Sequence, residues 1–301
     1  MAAKADSLKT VLYALGANFA IGVAKLGAAI ATGSSAMLAE AIHSFADCGN
    51  QALLLVGMKQ AKRPPSPDYP LGYGKAIYFW SFIVALVLFS LGGLFSIYEG
   101  WYKLAQPEAL SYPWVAVGIL VFGVAAETVS LRACLVEIGK VRGDKSLWHW
   151  FRNSRQSELV VILGEDIAAE IGLALALVAV LAAIATGNPM FDALGSVAIG
   201  AVLVVVAAGL GIQIKGLLIG QSAEPETEAA MKRFIEERQE VARVFRVITL
   251  QLGGSMMVAV KAQMRGESAN EMVASINRVE AAVREAFPDI QWLFFEPDVA
   301  D

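Results

Sequence analysis

Apolar residues run in six long blocks separated by short polar breaks, over about residues 10 to 32, 36 to 58, 76 to 98, 113 to 136, 158 to 186 and 191 to 215. A helix needs about 20 mostly apolar residues to cross the hydrocarbon of a bilayer. The pattern therefore predicts six spanning helices. The breaks are Thr32-Gly33-Ser34-Ser35, Arg63-Pro64-Pro65-Ser66-Pro67, Gln106-Pro107, the charged stretch Lys140 to Arg155, and Gly187-Asn188-Pro189. Such residues suit interfacial loops.

After Lys215 the pattern turns polar, and Gln221 to Asp301 reads as a small soluble α/β domain. Glu226 to Arg238 has helical spacing, with Met231, Phe234 and Ile235 on one apolar side. Val244 to Leu252 and Met257 to Arg265 predict strands joined by the hairpin signal Gly253-Gly254. In the second strand Val258, Val260, Ala262 and Met264 alternate with Ala259, Lys261, Gln263 and Arg265. Ser268 with Glu271 forms a capping-box pattern, followed by Met272, Ile276, Val279, Val283 and Phe287 at helical spacing. Ile290 to Phe295 predicts a third strand, so the expected order is α-β-β-α-β, an open sheet with helices on one face. The expected division is a membrane domain over residues 1–216 and a cytoplasmic domain over residues 217–301.

Composition strengthens the membrane reading: the 301 residues are 56% hydrophobic and 17% charged, with a mean hydropathy of +0.56. Soluble domains carry about a quarter of charged residues. Lys4, Lys9, Lys59, Lys62, Arg63, Lys75, Lys140, Arg142, Lys145, Arg152, Arg155 and Lys215 all fall on one side of a six-span arrangement, with Lys103 nearly alone on the other. The positive-inside rule then places both termini in the cytoplasm, of the inner or plasma membrane in a bacterial cell. Although Lys4 and Lys9 precede the first block, it is long and lacks an A-x-A cleavage pattern, so a spanning helix is expected there rather than a removable signal. The net charge of -4 and the absence of a long basic run exclude nucleic acid as the expected partner. Cys48 and Cys134 both lie in apolar stretches, which suits packing rather than a disulfide.

Two spans are too polar for lipid alone. The second contains Glu40-Ala-Ile-His43-Ser-Phe-Ala-Asp47-Cys-Gly-Asn50-Gln51. Ionisable groups at that depth cost several kcal/mol unless they face partners or water. His43 and Asp47 stand one helical turn apart on one face, and an imidazole with a carboxylate makes half of a tetrahedral zinc site or part of a six-coordinate one. A structural His–Asp pair tying two helices together is the plainer alternative. The fifth span carries Glu165, Asp166 and Glu170 in an otherwise apolar helix. Three carboxylates there require protons or a cation to neutralise them. Asp166 and Glu170 share a face, while Glu165 points about 100° away from Asp166. Asp166 is thus the leading ligand, with Glu165 and Glu170 competing for the fourth place or for a proton relay.

One nitrogen and several oxygens suit zinc, manganese or ferrous iron in different geometries. Metal and protons compete for the same atoms, so a proton gradient can drive metal export by exchange. Elsewhere in the spans, Lys25, Glu127 and Arg132 read as pairs inside the bundle, and Asn50 and Gln51 as hydrogen bonds between helices. His149, beside Trp148 and Trp150, suits an interfacial anchor, and the tail, lacking His and Cys, suits dimerisation rather than a zinc site. No H-E-x-x-H, G-x-S-x-G or paired catalytic aspartate pattern occurs, so no enzyme and no resident cofactor is expected.

These residues resemble the cation diffusion facilitators along essentially the whole chain. The likeness is carried by Ala39-Glu40-Ala41-Ile42-His43-Ser44-Phe45-Ala46-Asp47 with Asn50-Gln51, and by Pro70-Leu-Gly-Tyr-Gly-Lys75 with Tyr78-Phe79-Trp80. Glu165-Asp166 and Asp192-Ala-Leu-Gly-Ser196 complete it, and the match is most similar to the branch of zinc transporter 9. In the wider family the fifth span offers a His four residues ahead of its Asp; here Ile162 stands there, which makes Glu165 or Glu170 the implied substitute. The resemblance implies a polytopic α-helical membrane protein of six transmembrane helices with a C-terminal cytoplasmic α+β ferredoxin-like domain. It further implies a homodimeric metal–proton antiporter exporting by alternating access, from a metal site drawn from His43, Asp47, Asp166, Glu165 and Glu170. A metal-gated channel or a non-transporting metal sensor would keep the same buried ligands.

Overall fold

The computed structural model describes residues 7–32, 35–106, 113–266 and 268–300; the side chains of 28, 29, 31, 32, 35–40, 42 and 43 lie outside that description. The membrane part begins with α1 (Ser7–Thr32) and α2 (Ser35–Ala61). A continuous helix from Ala76 to Ala105 follows, built of α3 (Ala76–Val87), a π-helical segment (Leu88–Leu94) and α4 (Phe95–Ala105). Then come α5 (Pro113–Arg142), α6 (Leu147–Asn153), α7 (Ser157–Thr186) and α8 (Met190–Ile219).

Five stretches among the described residues are long and apolar enough to cross a membrane: Ser7–Gly27, Ala76–Ala105, Pro113–Arg142, Ser157–Thr186 and Met190–Ile219. The expected second span, α2, has 27 residues, about 40 Å of helix, but interrupts its apolar run with Asp47, Asn50 and Gln51. Composition alone therefore does not mark it as a span, although it packs between α1 and α3 like the other helices.

Packing makes α7 the centre of the bundle. Every residue from Leu159 to Asp166 is buried, because α1, α3, α5 and α8 all lie against this helix. Small residues bring other helices together, as expected where lipid offers no hydrophobic drive. A Cβ at Gly200 of α8 would lie 2.7 Å from the carbonyl oxygen of Gly93, and one at Gly100 would lie 2.8 Å from that of Ala193. At the far end of this pair Lys103 bridges Glu99 at 3.1 Å and Asp192, in the first turn of α8, at 3.7 Å. The stretch read as a charged loop, Lys140 to Arg155, instead contains α6. Its start is set by Ser146, whose hydroxyl accepts the His149 N–H at 3.2 Å.

The C-terminal part folds as α9 (Pro225–Glu236), β1 (Val241–Leu252), β2 (Ser255–Met264), α10 (Ala269–Ala286) and β3 (Ile290–Pro297). The sheet order is β1-β2-β3, antiparallel then parallel. Leu252 pairs with Ser255 across the turn, where Gly253 takes φ +69°. Met256, Val258, Val260, Ala262 and Met264 form the buried row of β2, and Met231, Ile235, Val279 and Val283 of the two helices pack with it in one core. The Ser268–Glu271 capping box is present with both of its bonds. Strand β1 starts three residues ahead of the expected Val244, since register shifts between Val241 and Arg243 and between Val244 and Arg246 break the two-residue alternation.

Candidate metal site

The polar residues of α2, α5 and α7 meet at mid-bundle. On α7 Glu165 is 9% exposed and Asp166 5%. Asn50 of α2 donates from Nδ2 to Glu165 Oε1 at 2.7 Å, fastening the second helix to the seventh. The other oxygen, Oε2, is buried and has no hydrogen-bond partner among the described residues. Leaving a carboxylate oxygen so costs about 1 to 3 kcal/mol or more, a cost that a proton, a water or a cation at this atom would relieve.

Asp166 faces α5. Ser130 Oγ lies 3.5 Å from each of its carboxylate oxygens, a long and weak contact that leaves both oxygens open to a stronger partner. Asp47 of α2 and Glu127 of α5 act electrostatically on both Glu165 and Asp166, so four carboxylates from three helices share one neighbourhood. Glu170 sits one turn further along α7, where its Oε1 lies 3.0 Å from Thr128 Oγ. That hydroxyl is also 2.8 Å from the Val124 carbonyl oxygen, so its single proton serves one acceptor at a time. Glu170 Oε2 has no hydrogen-bond partner among the described residues.

Of the five residues singled out in the sequence, the structure brings Asp47, Glu165 and Asp166 into mutual electrostatic reach and places Glu170 beside α5. The helical backbone puts His43 one turn from Asp47 on α2, but its side chain lies outside the described residues. Among the described residues no three His, Cys, Asp or Glu side chains converge closely enough to hold a metal ion. Sequence reasoning missed α5. Glu127, Thr128 and Ser130 form a polar break inside an apolar span, a signal of the same kind as the one read on α2 and α7.

Other polar residues have structural duties. Gln51 Oε1 accepts from Asn18 Nδ2 at 3.4 Å, so Asn50 and Gln51 do bond between helices. Lys25 of α1 donates to Ser44 of α2 at 3.1 Å. Both cysteines are free thiols.

The C-terminal part is docked on the helix ends. The buried Tyr78 hydroxyl of α3 accepts the Gly253 N–H at 3.0 Å. Gly74, in the Pro70–Lys75 segment, packs so tightly on the β1–β2 turn that a Cβ there would lie 2.0 Å from the Leu252 carbonyl oxygen. Arg155, two residues ahead of α7, donates from Nε to the Ser222 carbonyl at 2.7 Å and from Nη2 to that of Ala223 at 3.3 Å. Burial pulls this guanidinium below its ordinary value, against the pull of Glu224. Lys145 binds Glu224 at 3.2 Å and also Glu226; burial works against its charge, but those two carboxylates hold the ammonium above its ordinary value. His149, exposed rather than anchored in a core, has Nε2 3.8 Å from Glu226.

Residues 11–214 match the family model of the cation efflux transmembrane domain. The chain is 33% identical over 249 residues, 82% of its length, to the "Proton-coupled zinc antiporter SLC30A9, mitochondrial" of Xenopus laevis, and 32% identical over 81% of its length to the protein of that name from Homo sapiens. Each of these alignments covers 44% of the relative, so the chain matches less than half the length of those antiporters. It is also 26% identical to "Metal tolerance protein C4" of Arabidopsis thaliana, over 96% of this chain and 73% of the other.

Proposed function

Because the chain belongs to the cation efflux family, in the branch of zinc transporter 9, we propose that this multi-pass membrane protein carries a divalent metal cation, zinc first and manganese or ferrous iron next, out of the cytoplasm in exchange for protons. The observation that carries the reading is the buried, half-satisfied carboxylate pair. Glu165 keeps one orphaned oxygen among the described residues and Asp166 holds only 3.5 Å contacts, with Asp47 and Glu127 adding like charge. Such a cluster is tolerable in hydrocarbon when a doubly positive ion or protons occupy it.

In this reading His43, Asp47 and Asp166 are the principal ligands, with Glu165 or Glu170 completing the set. Glu165 is favoured by its burial, by the Asn50 bond that aims it and by its place beside Asp47 and Asp166, whereas Glu170 stands one turn further along α7 against Thr128. Protons and metal compete for these atoms, and that competition is the coupling. Six spans, with α2 the second, place both termini in the cytoplasm. Residues 1–216 form the transport domain, and residues 217–301 form a ferredoxin-like domain that joins two protomers. Alternating access exposes the site to each side in turn.

The test is zinc uptake into proteoliposomes under an imposed pH gradient. Gradient-dependent uptake that vanishes in His43→Ala, Asp47→Ala and Asp166→Asn supports the exchanger. Gradient-independent flux would instead make the protein a channel, and zinc binding with no flux a sensor.

A further inference from the structure

A cavity of about 430 Å³ opens between α1 and α5. On α1 it runs from Thr10 to Ala17, about 10 Å of helix, and on α5 from Val129 to Glu137, about 12 Å. Its walls are almost wholly apolar. Ala14 and Ala17 of α1 and Ala133 of α5 are too small to fill the space between the two helices. Tyr13, Val129 and Val136 on its rim are 69%, 69% and 63% exposed, so the groove opens to whatever surrounds the bundle. Around spanning helices that is lipid, and an apolar groove of this volume suits a hydrocarbon chain.

Arg132 breaks the apolar pattern. It lies exposed on the same rim, ten residues or about 15 Å before the end of α5, within a stretch apolar enough to cross a membrane. It makes no hydrogen bond and no ion pair with any described residue. Of the other charges on the groove, Glu137 is bound by Lys140, and Asp166 on the floor belongs to the candidate metal site. A guanidinium at that depth is costly unless it meets an opposite charge or reaches up to the headgroups. The described residues offer it no such charge, so the counter-ion has to come from the bilayer. The anion within reach there is a lipid phosphate, whose oxygens match the guanidinium fork. Arg142, in the last turn of α5, adds positive charge nearer the membrane surface. That charge balance selects an anionic headgroup over a zwitterionic one, which would bring its own ammonium.

We propose that an anionic phospholipid occupies this groove: Arg132 holds its phosphate, and one acyl chain lies along Ala14, Ala17, Ala133 and Val136. The lipid thereby fills the seam between α1 and α5, over Ile162 and Asp166 of α7. The assignment holds whether or not Asp166 carries a metal.

The test is native mass spectrometry of the full chain in detergent, offered equal amounts of phosphatidylglycerol and phosphatidylcholine. The wild type is expected to retain one phosphatidylglycerol per chain, about tenfold in preference to phosphatidylcholine, the effect of one charge-assisted contact. Arg132→Gln should abolish that preference and Arg132→Lys should keep part of it. Ala133→Phe, which fills the groove from its exposed rim and leaves Arg132 in place, should lower retention of both lipids. Equal retention of the two lipids by the wild type, or an undiminished preference in Arg132→Gln, overturns the proposal. So does full retention in Ala133→Phe, which also decides the matter should Arg132→Gln fail to fold. A second copy of the chain is the competing occupant. With Cys48→Ser and Cys134→Ser as background, Val129→Cys in phosphatidylglycerol liposomes should stay monomeric under oxidation; an efficient disulfide between two copies would make the groove a protomer contact and overturn the lipid.

Discussion

Gly74→Ala should pry the C-terminal part off the membrane helices, and the size of the effect follows from the contact geometry. The added Cβ would sit 2.0 Å from the Leu252 carbonyl oxygen and 2.7 Å from its carbon, and both belong to backbone. Relief to the 3.4 Å of ordinary contact means that the segment and the β1–β2 turn must part by about 1.4 Å. The facing glycine leaves no slack, because the Gly253 Cα side is itself closed off by Gly74, whose carbonyl oxygen would lie 2.5 Å from a Cβ there. An opening of that size carries the 3.0 Å bond from Gly253 N–H to Tyr78 out of hydrogen-bond range. A buried N–H left unpaired costs about 1 to 3 kcal/mol, before any loss of packing. Taking about 2 kcal/mol, hydrogen exchange of the Gly253 amide should accelerate about 30-fold, read by mass spectrometry on the detergent-solubilised protein. Tyr78→Phe removes the acceptor without the clash, so its effect at Gly253 should be smaller and leave the neighbouring amides unchanged. If Gly74→Ala keeps wild-type protection at Gly253, the tight docking inferred here is wrong.

Three further outcomes are expected. Asn50→Ala removes the 2.7 Å donor to Glu165, a charge-assisted bond of about 1.5 to 3 kcal/mol, and should weaken zinc binding by about 10- to 100-fold in calorimetric titration; unchanged affinity would release Glu165 from the ligand set. Ile162→His places an imidazole one turn ahead of Asp166 in a position 1% exposed, and should raise the ratio of zinc to manganese uptake in a competition assay; an unchanged ratio would mean that position 162 does not reach the ion. In the C-terminal part the Glu240 carboxyl is held below its ordinary 4.5 by its own backbone N–H and by Arg278. A depressed carboxyl stabilises the fold above its unfolded value, and the contribution is lost as pH falls through the folded value. Arg278→Ala should therefore lower the melting temperature slightly above pH 4.5, by less and less as the pH falls below 4.5, and not at all below the folded value; the pair is largely exposed, so at neutral pH the change should be under about 1 kcal/mol.

The fold was legible where one residue type decides a free energy by itself. Long apolar blocks must leave water, so the helices Ala76–Ala105, Pro113–Arg142, Ser157–Thr186 and Met190–Ile219 lie where the hydropathy places them. Alternation at Val258, Val260, Ala262 and Met264 likewise predicted the buried row of β2. Legibility failed where a second element decides. The bulges that start β1 at Val241 depend on pairing with β2, and α6 depends on a cap by Ser146 inside a run whose charges suggest a loop. The π-helical segment Leu88–Leu94 lies where Gly92 and Gly93 let the helix Ala76–Ala105 approach α8.

The candidate site divides along the same line. Charge in hydrocarbon is expensive whatever surrounds it, so Asp47, Glu165, Asp166 and Glu170 announced themselves from residue type and position alone. What each one touches is a property of neighbouring helices. Nothing local to α7 says that Glu165 meets Asn50, 115 residues earlier, or that Asp166 meets Ser130. Glu127 makes the case most clearly. Read along its own helix it suggests one half of an internal pair with Arg132; in three dimensions its carboxylate also acts on Glu165 and Asp166, from other helices. A charge five residues away on the same helix points about 140° elsewhere, so the helix that carries a charge is a poor guide to its partner. Carboxylates gathered from three separate helices repel in every arrangement that brings them together. Such a gathering is cheap only where a proton or a cation offsets the charge, and neither is written in the local sequence of any one helix.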